Sequence, residues 1–400
     1  MGVLSPAGIA TEVTAALRSV IGEQRAVLHE PLFAGNEWKY VKETLDSSFV
    51  SSVGAFVDRF EVELARTTGA EHVVVTGTGT AALHIALLLA GVQPGDEVLV
   101  PTLTFAATAN AVSYCGAIPH FIDVEESTLG VSAMALRAHL EQSATVTRDG
   151  LVNRQTGRII RAVVPMHAFG HPVDLDGLMA VAAEFGLVVV EDAAESLGST
   201  YHGVHTGTFG KLGTLSFNGN KTITTGGGGA ILTSDPELAR RAKHLTTTGK
   251  LPHQWEYRHD MVAYNYRLPN LNAALGCAQL EQLPDFIEAK RRLTGQYVDA
   301  LAAVDGVRLF IEPTGCHSNY WLQTLVIEQG GREVRDAVLA ATHTAGYLTR
   351  PSWDLMHGLP HFAQCPRADL SCATSLADRL VNLPSSPQLA LPRLSADADR

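Results

Sequence analysis

Three short stretches of this chain carry side chains whose types and spacing can do chemistry together. The first is Thr76-Gly77-Thr78-Gly79-Thr80-Ala81-Ala82, between a β-branched run and an apolar helical stretch. Glycines there let the backbone approach a ligand, and free N–H groups at a helix start attract phosphate. Thr78 or Thr80 can equally cap that helix with no ligand at all. The string also satisfies the loose GxGxxA dinucleotide pattern. That pattern wants an acid about 20 positions on, at the end of the next strand, to hold a ribose. Here that strand ends in Pro101-Thr102, with Asp96 and Glu97 at its other end. The second stretch is Glu191-Asp192-Ala193-Ala194-Glu195, closing the run LVVVED. In open α/β sheets ligands bind outside the carboxyl ends of strands, so Asp192 is aimed at a site. Its carboxylate needs a cationic or hydrogen-bonding partner there, unless it merely caps the next helix. The third stretch is Ser216-Phe217-Asn218-Gly219-Asn220-Lys221, with the glycine run 226–229 just beyond. Among small uncharged neighbours a lysine is desolvated, which favours the neutral amine that imine formation requires. Four consecutive glycines cost conformational entropy, so something must approach the backbone closely.

Read together, the three stretches describe one cofactor site: a phosphate cradle, a carboxylate at a strand end and, 29 residues later, an imine-competent lysine. Those are the needs of pyridoxal 5′-phosphate (PLP): a lysine for the Schiff base, and a carboxylate that keeps the ring nitrogen protonated so that the ring accepts electrons.

The elements that must position these residues are legible as hydrophobic runs. Strands are expected over 72–77, 97–101, 118–124, 161–166, 187–192, 215–217 and 230–233. Near-continuous apolar runs of this kind are buried on both faces, which predicts a mostly parallel seven-stranded sheet covered by helices. Helices fit over 80–90, 105–115 and 174–185, each followed by a glycine placed for a left-handed cap: Gly91, Gly116 and Gly186. Beyond Leu251 the pattern changes. A His/Tyr/Asn-rich loop leads to a long helical stretch, 271–302, interrupted at Pro284. A strand over 321–327 and a helix over 332–345 follow, and 149–158 reads as a polar hairpin. The expected division is an N-terminal helical segment (1–35) packed on a small C-terminal α+β domain (253–400), with a large α/β domain (36–252) between them.

Composition excludes several classes. Of 400 residues 46% are hydrophobic and 18% charged, enough for a large core and far from a disordered composition. The formal net charge is −11, against the clustered Lys and Arg that nucleic-acid binding needs. The five cysteines are scattered without a CxxC pair, which points to a reducing cytoplasm and away from disulfides or zinc. His253, His259 and His317 lack metal-ligand spacing, so no metal is expected. No run reaches the roughly 20 apolar residues that span a bilayer, and the opening Met1-Gly2-Val3-Leu4-Ser5-Pro6 has neither the basic nor the apolar region of a signal peptide.

At this level of detail the sequence resembles the sugar aminotransferases of the DegT/DnrJ/EryC1/StrS family. The resemblance runs from about 31 to 383. It rests on Gly79-Thr80-Ala81-Ala82-Leu83, on Pro101-Thr102-Leu103-Thr104-Phe105-Ala106-Ala107-Thr108, on Glu191-Asp192-Ala193-Ala194, on Ser216 through Lys221, and on Tyr264-Asn265-Tyr266-Arg267. It implies the PLP fold type I, a homodimer with shared active sites, and amination of a nucleotide-linked sugar. Carried over by position, Lys221 would hold PLP and move the proton, and Asp192 would pair with the ring nitrogen. Phe105 would stack on the ring, Thr78, Gly79, Thr80 and Ser216 would cradle the phosphate, and Asn265 would reach the partner subunit's phosphate. Glu195 departs from the family, standing where many members carry Gln or His near the ring hydroxyl. Tyr320 and Trp321 are candidate walls of the sugar-nucleotide pocket.

A finer resemblance is to the subgroup named for LegC, through Glu195-Ser196-Leu197-Gly198-Ser199, His205-Thr206-Gly207-Thr208-Phe209-Gly210, the hairpin 149–158, Ser318-Asn319-Tyr320-Trp321-Leu322-Gln323 and Arg350-Pro351-Ser352-Trp353. It implies transfer of the amino group of L-glutamate, through the pyridoxamine form, to C4 of a nucleotide-linked 4-keto-6-deoxy-N-acetylhexosamine. Two alternatives stand beside it: amination at C3 or of a GDP-linked sugar as in perosamine synthesis, and a non-catalytic PLP-binding regulator or partner subunit. A dinucleotide-dependent oxidoreductase fails for want of the ribose acid and leaves Lys221 unexplained.

Overall fold

The computed structural model describes residues 5–391. The Met1–Leu4 stretch read for a leader lies outside them. Its centre is a sheet of nine strands: β1 (His72–Thr76), β2 (Glu97–Pro101), β3 (Ile118–Ile122), β4 (Ala144–Thr147), β5 (Gly150–Asn153), β6 (Ile159–Val163), β7 (Val188–Asp192), β10 (Leu212–Ser216) and β11 (Gly229–Thr233). A two-strand excursion, β8 (Thr200–Tyr201) and β9 (Val204–His205), interrupts the run after β7. The main path is β1-β11-β10-β7-β6-β2-β3, with only β11 antiparallel to its neighbours. The hairpin β4–β5 joins it through antiparallel pairing of β5 with β6, and so widens the sheet instead of standing apart.

Successive strand residues face opposite layers, which is why the strands read as unbroken apolar runs. Val98, Val100, Val190 and Ile231 pack with Leu83 and Val112 of helices α4 (Gly79–Leu89) and α5 (Ala106–Tyr114). Leu99, Val163 and Val189 pack on the other face with Leu136 and Leu178 of α6 (Ala133–Ser143) and α7 (Leu175–Phe185). Each such side chain, fully buried, stabilises the fold by about 1.5–3 kcal/mol. Gly91, Gly116 and Gly186 all take the positive φ expected of helix-ending glycines. Strand β10 starts three residues before the expected 215, because Gly213 is a strand residue here. A side chain at that position would collide with the Gly207 carbonyl.

The second region holds β14 (Val307–Leu309), β16 (Gln323–Ile327), β17 (Arg350–Pro351) and β18 (Leu380–Leu383) in one antiparallel sheet. The short pieces β12 (Lys250–Leu251), β13 (Arg258–His259) and β15 (Cys316–His317) decorate the loops. Helices α10 (Leu283–Leu301) and α11 (Gly331–Thr344) cover that sheet. Among the described residues up to 35, only α1 (Pro6–Ile21) is helical. Its Val13 and Leu17 pack on Leu293, Tyr297 and Val338. Ser5 caps it, accepting from the Gly8 N–H at 3.2 Å, with Pro6 in the first turn. Residues 27–35 then run without helix, and Leu32 O accepts from Gln279 Nε2 at 2.7 Å. Helix α9 (Asn270–Glu281) lies beyond residue 253 yet packs its Ala274 and Cys277 with Phe60 of α3 (Ala55–Thr68) and with β-sheet residues Val75 and Leu215. The large-domain core therefore draws in chain from past the boundary expected from sequence.

Candidate active site

A cavity of about 310 Å³ opens at the carboxyl ends of the central strands. Thr78, Gly79, Thr80, Phe105, Asp192, Glu195, Ser216, Lys221 and Trp321 all line it. The three stretches that the sequence brings forward thus converge on one space.

The Thr78–Thr80 stretch is both a cap and a cradle. Thr78 Oγ1 accepts from the Ala81 N–H at 3.0 Å and starts α4, while the same residue lines the cavity. The next two amides, of Gly79 and Thr80, face an end of the helix where the dipole favours an anion. Glycine is required at 79: a Cβ there would sit 2.8 Å from Ser216 Cβ. The glycine run 226–229 has two functions. Gly227 and Gly228 line the cavity, whereas a Cβ on Gly229 would lie 2.6 Å from the Gly79 nitrogen and from the Thr78 carbonyl. Much of the close approach inferred for that run is thus by the protein's own backbone.

Lys221 is presented by a closed loop. Phe217 leaves β10, buries its ring against Phe60, and makes two backbone bonds across the loop, to Gly228 O (2.8 Å) and from the Thr225 N–H (3.0 Å). Asn272 of α9 braces the loop by donating to Thr225 O at 2.7 Å. Lys221 Nζ then lies 3.1 Å from Glu195 Oε1 and 4.0 Å from the centre of the Trp321 ring.

Asp192 is buried at the end of β7. Its Oδ2 accepts from Thr108 Oγ1 (2.8 Å) and its Oδ1 from the Ala194 N–H (3.2 Å). Burial raises its pKa despite those bonds, so the carboxylate is short of positive charge. A protonated ring nitrogen is the partner that such a group lacks. Hydroxyls and amides for a phosphate, an amine for an imine, a carboxylate for a ring nitrogen, and the half-exposed Phe105 as a flat wall make a donor set that fits PLP. Glu195 is equally buried. Its Oε2 accepts from the Phe169 N–H at 2.9 Å, and burial pushes its pKa up to about 7.

Two expected residues lie elsewhere. Tyr320 does not line this cavity. It is 3% exposed, its ring faces His171 edge-on and Arg291, and its hydroxyl accepts from the Glu312 N–H. The backbone explains why: Tyr320 has φ of 48°, a turn that sends it into the interior and its neighbour Trp321 into the cavity. Asn265 is exposed and does not line the cavity of its own chain. The hairpin 149–158 is also remote, since Asn153 and Thr156 donate to Glu97 at the opposite end of β2.

Sequence reasoning missed roles for Thr108, Asn319 and Trp353. Thr108 lies one helical turn after Phe105, a spacing that offers a clue. Asn319 ties three parts of the site together. Its Nδ2 donates to Glu195 O, Leu197 O and Thr222 Oγ1, and its Oδ1 accepts from the Trp321 N–H. Trp353 stacks on Phe169 at 4.8 Å and lines the cavity beside Phe105, their ring centres 6.5 Å apart. Among the described residues, no group of three or more His, Cys, Asp or Glu is arranged to hold a metal ion. No described helix is long and apolar enough to cross a membrane.

Comparison with known proteins adds to this geometry. Residues 32–395 match the DegT/DnrJ/EryC1/StrS aminotransferase family. GDP-perosamine synthase of Caulobacter vibrioides is 37% identical over 92% of this chain and 94% of its own. The UDP-N-acetyl-3-dehydro-alpha-D-glucosamine 3-aminotransferase of Acidithiobacillus ferrooxidans is 33% identical over 86% of each. Among solved structures, DesV of S. venezuelae in complex with a ketimine intermediate superposes with a TM-score of 0.78 at 30% identity, covering 88% of this chain and 90% of its own.

Proposed function

The chain belongs to the DegT/DnrJ/EryC1/StrS family of PLP-dependent sugar aminotransferases, and from that premise we propose that it moves the amino group of L-glutamate to C4 of a nucleotide-linked 4-keto-6-deoxy-N-acetylhexosamine. The product is a 4-amino-4,6-dideoxy sugar nucleotide of the kind used in surface polysaccharide or nonulosonate synthesis. The observation that carries the transfer chemistry is the convergence of Lys221, Asp192 and the Thr78–Ser216 cradle on one cavity. The choice of C4 and of an N-acetylated sugar rests on the subgroup resemblance of the sequence.

When bound, PLP supplies a carbonyl for the amine and an electron sink for the bonds that change. The rest is work for this chain's own side chains. Thr78, Thr80 and Ser216 offer hydroxyls, and Gly79 and Thr80 offer amides, to a phosphate. Asp192 holds a proton on the ring nitrogen, and Thr108 fixes the direction of that carboxylate. Phe105 covers one face of the ring. Lys221 takes a proton from the amino donor and returns it one position away, as general base and then general acid, and reverses the order for the acceptor. Two half-reactions through one amine predict ping-pong kinetics.

Sharing of the site between two protomers belongs to the same proposal. Asn265 is exposed and off its own cavity, as a residue reaching a second protomer's phosphate has to be. A GDP-linked acceptor, or amination at C3, is favoured by the two relatives described above.

The test is the visible spectrum of the protein with PLP before and after L-glutamate. Bleaching of the imine band, followed by its return with one ketosugar nucleotide of a panel, is the expected result. A 4-keto-6-deoxy-N-acetylhexosamine that restores the band supports the primary reading, and restoration by a GDP-linked or 3-keto sugar alone replaces it. A band that glutamate leaves unchanged supports a non-catalytic PLP-binding protein or another donor.

A further inference from the structure

Lys221 Nζ is held between two groups that stabilise positive charge. On one side Glu195 Oε1 lies at 3.1 Å, and on the other the face of Trp321 lies at 4.0 Å. Neither is free to turn away. Glu195 Oε2 is fixed by the Phe169 N–H, and Phe169 holds a left-handed φ of 58°, a strained conformation for an aromatic residue. Trp321 is pinned three times. Its Nε1 donates to Asn220 O (2.7 Å), its N–H to Asn319 Oδ1 (2.7 Å), and its carbonyl accepts from the buried Lys290 Nζ (3.0 Å). Asn319 also donates to the Glu195 carbonyl, so one side chain sets the spacing of carboxylate and indole around the amine.

Building on the aminotransferase reading, we propose that Glu195 and Trp321 form a counter-charge seat for the Lys221 nitrogen. In this role they are positioning residues that stabilise the cation formed each time Lys221 takes a proton. In that step the C–H bond of the donor breaks, an N–H bond forms on Nζ, and the electron pair passes to the cofactor. The ammonium so made meets a carboxylate and a π face instead of an apolar wall. The relation is that of a catalytic base and the carboxylate that orients it and stabilises its protonated form.

The titratable groups around the pair are Asp192, which acts on Glu195, and His29 of the N-terminal segment, which acts on Lys221; behind them His167 acts on Asp192 and Lys290 of α10 on His29. Burial drives His29 and Lys290 well below their ordinary values, toward their neutral forms. Asp192 is a like charge that pushes Glu195 up and leaves Lys221 as its compensating cation.

The experiment reads Lys221 directly, in protein freed of cofactor. The pH dependence of its acylation by acetic anhydride is followed by peptide mass spectrometry in wild type, Glu195→Gln, Glu195→Asp and Trp321→Leu. Loss of a carboxylate at this distance is expected to lower the labelling midpoint by about 1–3 pH units, so that labelling near neutrality rises about tenfold or more. Glu195→Asp should recover part of the shift, and Trp321→Leu should lower the midpoint less than Glu195→Gln does. An unchanged or raised midpoint in Glu195→Gln overturns the proposal. Should that variant fold poorly, an unchanged midpoint in both Glu195→Asp and Trp321→Leu overturns it instead. The glutamate spectrum of the wild type tests the aminotransferase reading separately, and its failure leaves the labelling result standing.

Discussion

Two glutamates four residues apart, Glu191 behind the end of β7 and Glu195 in front of it, are equally buried and differ in almost everything else. Glu191 accepts from the Gly207, Phe209 and Gly210 amides at 2.7–2.8 Å and meets His167 Nε2 at 3.1 Å. Burial alone would raise it, but the His167 contact and those amides hold it below the ordinary carboxylate range. Glu195 has one amide and one lysine, and burial wins. The difference teaches how to tell an anchor from a reactive carboxylate. An anchor has its lone pairs filled by neutral donors that cannot leave. A reactive one depends on a partner whose charge changes during the reaction.

The largest effect expected on the reactive side is from Lys221→Ala. Removing the amine should cut multiple-turnover amination by at least about 10³-fold, the scale of a lost general acid–base group, with little change in melting temperature. Steady-state kinetics beside a thermal melt checks it. Retained turnover would falsify the assignment of Lys221.

On the anchor side, Glu191→Gln leaves loop amides facing an NH₂ group and should cost about 3 kcal/mol of stability, read by denaturant or thermal melts. The pH dependence has a definite sign. A carboxylate lowered on folding contributes stability above its ordinary pKa and loses it as pH falls through the folded value. The gap between wild type and Glu191→Gln should therefore narrow below about pH 4.5. Glu195 behaves oppositely. A carboxylate raised to about 7 on folding stabilises below its ordinary range and loses that contribution as pH rises toward 7. Glu195→Gln should melt no lower than wild type at pH 8. Parallel behaviour of the two variants would erase the distinction between them.

The sequence revealed this front side better than the back. The three cofactor stretches were legible because each breaks a local pattern: glycines at a helix start, an acid closing an apolar strand, a lysine among small residues. The parallel strands were legible for the converse reason, an apolar run with no pattern to break. Glu191 was hidden because its donors are backbone amides sixteen to nineteen residues on, and an amide has no side-chain signature. Asn319 was hidden because its partners come from loops about a hundred residues earlier. Strand spacing alone could not tell Tyr320 from Trp321, since the positive φ that separates them breaks the alternation on which the reading of that strand depends.

The smallest effect expected belongs to that pair and sharpens the same contrast between anchor and reacting group. Tyr320→Phe removes one hydroxyl that accepts from the Glu312 N–H at 3.1 Å, in a place off the cavity lining. It should cost about 0.5–1.5 kcal/mol in a thermal melt and leave both kcat and KM for the ketosugar within about twofold. Trp321→Phe keeps an aromatic face near Lys221 but gives up the bond from Nε1 to Asn220 O, so the lysine loop loses a brace. Its cost should appear in kcat, because the group it supports is the amine and not the sugar. A Tyr320→Phe variant that raises KM severalfold at unchanged stability would return Tyr320 to the pocket wall and make the interior turn at 320 the part of the site to re-examine.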